Sequence, residues 1–372
     1  MSVPLSVLDL TPIPAGSTTG EALGNTLDLA RRTEAFGYRR YWVAEHHLNP
    51  GVAGSAPAVL IGLVASATST IRVGSGAVLT GHQTPLAVTE QFGLLDAVFP
   101  GRIDLGLGRS GRPRASSAAT AASAPASPPP TSNRVVDGLV VPPPFPVAEL
   151  IKSPRFRVQS QLLQQPSAVT PDFSEILDQF QGYVRGDYSR DGVDVHVQPG
   201  EGAGFELWIL GSSAGESAQE AGARGLPFGT NYHVAPAGVL DAVAGYRAAF
   251  RPGVLSSPRV IVSADVVVAE TDEQAAELAS PYGLWVLSIR SAQGAIPFPT
   301  PKEAAEHEWT AAERALVQDR IDTQFVGSPA TVVEKLRILQ EATGADELLI
   351  TTITHDHADR VRSYELLAEA WR

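Results

Sequence analysis

Short apolar runs rich in β-branched residues alternate along this chain with longer segments whose apolar positions recur at helical spacing. That alternation is the pattern of repeated βα units around a parallel sheet. Eight runs have strand length, at 5–10, 40–44, 71–76, 103–108, 207–211, 228–232, 260–269 and 348–352. Eight parallel strands are the number that closes a β/α barrel. The intervening pattern predicts helices over 21–36, 56–68, 85–99, 213–224, 237–250 and 329–341. Pro85 and Pro329 stand at the starts of two of these, and Gly37 and Gly344 follow the ends of two, where proline and glycine are each favoured. The predicted fold class is α/β: a (β/α)8 TIM barrel filling residues 1–372 as one domain, with insertions after strands 4 and 7.

The insertions are where the rhythm breaks. Residues 110–133 are almost entirely Ala, Ser, Pro and Thr, a composition that buries little apolar surface and reads as coil. Residues 285–324 mix Gly, Pro and charged helical segments. Both fall on βα loops, the side on which barrel active sites are built. A domain boundary inside the Ala/Ser/Pro tract would instead give two lobes of four strands each. Neither lobe has the Gly-rich first βα turn of a dinucleotide fold, so one barrel is the better reading.

Composition removes several function classes. With 372 residues, 44% of them hydrophobic and 18% charged, the chain can bury a large core unaided. A formal net charge of −12, without runs of Lys and Arg, argues against nucleic acid as a partner. The absence of cysteine removes disulfides, thiolate nucleophiles and Cys-ligated metals together. The first apolar run has no basic region before it and contains Asp9, so it reads as a strand and not a signal peptide. No run approaches the ~20 apolar residues of a membrane span. A cytoplasmic location without membrane association is the expectation.

The candidate chemistry lies at strand ends. Glu45, His46 and His47 follow the second strand directly (YRRYWVAEHHLNPG), on the catalytic rim of a barrel. Histidine handles protons near neutral pH, though the three could also be a polar cluster capping the strand. Gly74, Ser75, Gly76 and Ala77 end the third strand with side chains small enough to leave room for a planar ring, or mark a bulge or close backbone approach. Gly106, Gly108, Arg109, Ser110 and Gly111 form a turn after the fourth strand. The Arg109 guanidinium suits a phosphate, or is simply solvated. Ile209, Leu210, Gly211, Ser212 and Ser213 end the fifth strand and open a helix. Free N–H groups and hydroxyls there also suit a phosphate, although Ser at a helix start is commonly just an N-cap. His82, between Gly81 and Gln83, and His233, in the sixth loop, are weaker candidates for the substrate side. His355 and His357 flank Asp356 after the eighth strand, which suits a zinc-like ion or, with Asp356 as an N-cap, no ion.

The second-strand segment stands in barrel order with RVGSGAVLTGHQTPLAVTEQFGLLDAVFPGRIDLGLGRSG, ELWILGSSAGESAQEAGARGLPFGTNYHVAP and ELLITTITHDHADRVRSYELLAEAWR. Together they resemble the bacterial-luciferase-like flavin monooxygenase family, across every strand outside the insertions. The resemblance implies a barrel that binds reduced FMN noncovalently and uses O2 to oxygenate a small organic substrate. It implies catalytic roles for His46 and Glu45 and a cis Gly76–Ala77 peptide against the flavin. It assigns the cofactor phosphate to Arg109 with Ile209, Gly211, Ser212 and Ser213, and implies no metal. Relatives commonly carry Pro-Asn-His where this chain has Gly81, His82 and Gln83, so no relative's substrate carries over. There is no nicotinamide fingerprint, which implies a separate NAD(P)H:flavin reductase. Relatives pair as homodimers through the outer helices near the second and third strands. The alternatives are a coenzyme F420-dependent oxidoreductase of the same superfamily, a metal-dependent barrel hydrolase using His46, His47, His355 and His357, and a flavin-binding protein without turnover.

Overall fold

The computed structural model describes residues 2–109, 132–165 and 168–371. Eight parallel strands pair in chain order: β1 (Leu5–Asp9), β2 (Arg40–Val43), β3 (Arg72–Ser75), β4 (Ile103–Gly108), β5 (Glu206–Leu210), β6 (Phe228–Asn231), β7 (Val260–Val268) and β8 (Glu347–Thr351). The pairing of β4 with β5 (Leu105 opposite Leu207) and of β8 with β1 (Leu348 opposite Leu5) closes the ring. This is the (β/α)8 TIM barrel that the eight apolar runs predict.

The labelled helices are α1 (Thr19–Phe36), α2 (Pro57–Ala67), α3 (Pro85–Val98), α4 (Phe173–Arg185), α5 (Glu216–Ala223), α6 (Val239–Ala249), α7 (Tyr282–Arg290), α8 (Ala311–Asp322), α9 (Pro329–Thr343) and α10 (His357–Ala370). All but α7 and α8 form the outer layer, each packed on its neighbours. Local chemistry sets their ends. Thr18 and Glu21 make a reciprocal capping box at the start of α1, and Gly37 ends it at φ 89, a left-handed conformation costly to other residues. The departure after β7 begins earlier than residue 285, because a helix at Asp272–Ala279 precedes α7. Of the Ala/Ser/Pro tract, residues 110–131, including Ser110 and Gly111, lie outside the described residues. Among the described residues no helix is long and apolar enough to cross a membrane.

Period-two alternation along the strands divides the core in two. Val7, Tyr41, Val43, Ile209, Val262 and Ile350 pack outward against the helices. Leu8, Trp42, Trp208, Ile261 and Leu349 point inward and join Tyr282, Trp285, Val286 and Phe298 of the segment after β7. That segment therefore packs on the barrel interior and covers its mouth. At the opposite end, Arg40 is fully buried and bonded by Nη1 to Asp104 (2.7 Å) and Glu206 (3.0 Å) and by Nε to Glu347 (3.0 Å). Ionic plugging of the amino-terminal ends of the strands is a structural role, and it leaves the carboxyl-terminal rim for chemistry.

Candidate active site

The segment after β2 turns inward at once. The His46 N–H donates to the Gly54 carbonyl at 2.7 Å, tying this rim to the next loop. Glu45 is buried, with both oxygens used: Oε1 lies 2.8 Å from His47 Nε2, and Oε2 accepts from the Leu79 N–H at 2.9 Å. Burial pushes the Glu45 carboxyl above its ordinary range, against the pull of those two bonds. His46 Nδ1 is buried and has no hydrogen-bond partner among the described residues. Burial, helped by the neighbouring His47 charge, holds the His46 pKa at about 4. His46 is thus neutral near pH 7. The His82 ring meets His47 edge to face at 5.5 Å, so His82 belongs to this cluster and is partly buried, not a solvent-facing loop residue.

His233 is buried across the mouth, with Nδ1 2.6 Å from Ser263 Oγ. Burial, the charge of Arg320 and the charge His46 takes on once protonated together bring its pKa to about 3. The two histidines are therefore near enough to sense each other. Ser263 lies two residues before Asp265 on β7, and both are buried. Asp265 accepts from Gln324 Nε2 at 3.0 Å, and burial raises its pKa. Arg320 on α8 donates from Nε and Nη2 to the Tyr282 hydroxyl of α7. None of Asp265, Tyr282 or Arg320 was singled out from the sequence. A signal existed for one of them: Ser263 and Asp265 interrupt an otherwise apolar run at the spacing that shares the inward face of Ile261.

The third strand ends in a cis Gly76–Ala77 peptide, with both residues partly exposed at the rim. The close approach that small residues at a strand end can mark is present here. A Cβ on Gly76 would lie 2.9 Å from Leu8 Cδ1 and 3.2 Å from Trp42 Cε3, and one on Gly106 would lie 2.1 Å from the Ser75 carbonyl oxygen. These glycines let inward side chains and strands approach closely.

At the ends of β4 and β5, Arg109 Nη1 bonds Glu216 Oε2 at 2.6 Å, and both groups remain about a third exposed. Arg109 is thus brought beside the start of α5, near Ser212 and Ser213. The predicted helix start is corrected: α5 begins at Glu216, with Gly215 as N-cap and no side-chain cap bond. Ser212 and Ser213 are exposed in the turn before it, so neither is a helix cap, and Ser213 Oγ accepts from the Gly215 N–H at 3.3 Å. Gly211 is confined, since a Cβ there would stand 2.8 Å from Ser217 Cβ. Ile209 is the second correction. Its side chain is fully buried in the layer between barrel and helices, directed away from the rim.

The residues after β8 do not converge. Asp356 is the N-cap of α10, accepting from the Ala358 N–H at 2.7 Å. His355 Nε2 reaches the Ala15 carbonyl (3.1 Å), and His357 Nε2 reaches Asp28 (3.0 Å). Among the described residues no three His, Asp or Glu side chains group as metal ligands.

Comparison with known proteins adds to this geometry. The model of the luciferase-like monooxygenase family matches residues 3–125 and 152–347. The uncharacterized protein YvbT of Bacillus subtilis (strain 168) is 36% identical over 372 residues, covering 99% of this chain and 96% of that protein. The crystal structure of apo-MsnO8 superposes with a TM-score of 0.76 at 33% identity, covering 99% of this chain and 98% of the other. The oxygenating constituent of 3,6-diketocamphane monooxygenase from Pseudomonas putida, a type II Baeyer-Villiger monooxygenase solved in complex with FMN, superposes with a TM-score of 0.68 at 18% identity. There the coverage is 99% of this chain and 98% of that one, and the likeness is one of fold.

Proposed function

Because this chain belongs to the luciferase-like monooxygenase family, we propose that it is a flavin-dependent monooxygenase that uses reduced FMN, bound noncovalently, and O2 to oxygenate a small organic substrate. The observation that carries this reading is the buried, partnerless Nδ1 of a neutral His46, on the same rim as a guanidinium and exposed hydroxyls suited to a phosphate. The FMN complex of the Pseudomonas putida protein supports the choice of cofactor.

The residues present fit that cofactor. Arg109, Ser212 and Ser213 would hold the phosphate, with Arg109 exchanging its Glu216 partner for it. Gly211 would keep the strand end slim, Ile209 would contribute only backbone, and Gly76 and Ala77 would border the ring. Reduced flavin, when bound, supplies the electrons that activate O2. His46 holds or moves a proton at Nδ1, for which no group among the described residues competes. Glu45 is in this reading a positioning residue, because its oxygens anchor His47 and the Leu79 amide. His82 and His233 border the substrate side, beneath the segment that covers the mouth and limits water.

Without a nicotinamide fingerprint, the reduced flavin comes from a separate NAD(P)H:flavin reductase. A homodimer is also part of the proposal, supported by exposed Val59 and Leu63 on α2 and exposed Leu94 and Val98 on α3.

The test is to mix the protein anaerobically with reduced FMN, admit O2 and follow flavin reoxidation. The expected result is a time course that departs saturably from that of free FMN and changes again in His46→Ala. A time course identical to free FMN at every protein concentration contradicts the proposal.

A further inference from the structure

Arg320, on α8 beside the barrel mouth, is a buried cation. It is 7% exposed, yet no carboxylate among the described residues lies within ion-pair distance of it. Its bonds from Nε (3.1 Å) and Nη2 end on a single neutral hydroxyl, that of Tyr282, and among the described residues Nη1 makes no hydrogen bond. Burying a guanidinium costs several kcal/mol unless an anion compensates it. The nearest acid in this network, Asp265, stands on the far side of the same hydroxyl, is held by Gln324, and is made reluctant to ionise by its burial. The compensation is therefore incomplete.

A second donor nearby also lacks an acceptor. The Trp285 Nε1–H is buried with no partner among the described residues, and its ring stacks on Tyr282 at 6.2 Å. The Arg320 guanidinium carbon lies 5.5 Å from that same Tyr282 ring. Among the described residues the Trp285 N–H is thus buried without an acceptor, and Arg320 Nη1 bonds no protein group beside it, which suits a site whose acceptor arrives with a ligand. The cluster belongs to the mouth: α7 packs on the inward core, and the Arg320 charge is felt by His233, which in turn senses His46.

We propose that Arg320, backed by Tyr282 and joined by the Trp285 indole N–H, is a specificity-determining subsite that binds a carboxylate carried by the organic substrate. Nη1 offers its N–H groups and the indole nitrogen one more, which suits the two oxygens of a carboxylate. Tyr282 occupies the other side of the guanidinium and fixes its direction. Asp265 bonds the same Tyr282 hydroxyl from its far side, so it compensates the guanidinium only in part. This inference rests on the flavin monooxygenase reading, because it names the substrate class of that same pocket.

The test uses the full chain saturated with FMN and a series of straight-chain alkanoates, each paired with its neutral amide, with binding read by calorimetry and by tryptophan fluorescence. The expected result is saturable binding of an alkanoate at least tenfold tighter than its amide. Arg320→Met should abolish that preference, Arg320→Lys should retain part of it, and Trp285→Phe should weaken alkanoate binding several-fold while keeping the ring. FMN affinity should stay unchanged in all three. Equal binding of acid and amide by the wild type overturns the subsite, as does an Arg320→Met variant that keeps the preference. If Arg320→Met loses FMN instead, the guanidinium serves the cofactor and the subsite is likewise overturned. Failure of the wild type to bind FMN at all would count against the flavin reading itself, which separates the two failures.

Discussion

His46 and His233 rest in the same neutral state, for the same reason. Both are buried, and protonating either would place a charge where little compensates it. For His233 the consequence is measurable. Its pKa is about 3 in the folded chain, against 6.5 for the free side chain. The unfolded chain therefore takes up this proton as pH falls below about 6.5, while the folded chain does not, and stability is lost through that window down to about pH 3. Each pH unit within it corresponds to about 1.4 kcal/mol. Thermal melts of His233→Asn should show a shallower loss of stability from pH 6.5 toward pH 4 than the wild type. Parallel curves would contradict the buried neutral histidine. His46 was legible in the sequence because it follows a strand with no gap. Arg320 was not, since its partner Tyr282 and its neighbour His233 are far from it in sequence and meet only when α8 packs against α7.

The elements were legible where period and punctuation agreed. All eight strands fall within a residue or two of their apolar runs, and Gly37 and Gly344 end α1 and α9 as their positions suggest. The fourth outer helix, α4, escaped notice because the stretch from Gly108 to Phe173 separates it from its strand, and the alternation does not point across that gap. Ser213 misled for a simpler reason: a hydroxyl before a helical run resembles an N-cap, while the helix starts only at Glu216, with Gly215 as its N-cap. At this scale the apolar faces of α2 and α3 make the homodimer testable. Sedimentation should give a dimer for the wild type and a monomer for Leu63→Glu, with the melting curve little changed because Leu63 is exposed. A monomeric wild type would contradict that role for the two helices.

Across the whole molecule the two ends of the barrel divide the work. The amino-terminal end is closed by Arg40, Asp104, Glu206 and Glu347, and two indoles, Trp42 and Trp208, pack edge to face above them at 5.3 Å. The opposite rim gathers His46, His233 and Arg109 from β2, β6 and β4, with Arg320 reaching in from the segment after β7. Composition alone could not locate that rim, but the closure of eight strands did, because it aims every βα loop the same way. The central claim is that this rim takes FMN by its phosphate. Equilibrium dialysis of the wild type and Arg109→Ala against FMN, riboflavin and coenzyme F420 tests it most directly. The account predicts that the wild type binds FMN more tightly than riboflavin and retains F420 poorly. It predicts that Arg109→Ala loses about 10- to 100-fold in FMN affinity, from the roughly 1.5–3 kcal/mol of a hydrogen bond to a charged group, with riboflavin unaffected. Equal affinity of the wild type for FMN and riboflavin, or retention of F420 in place of FMN, would contradict it.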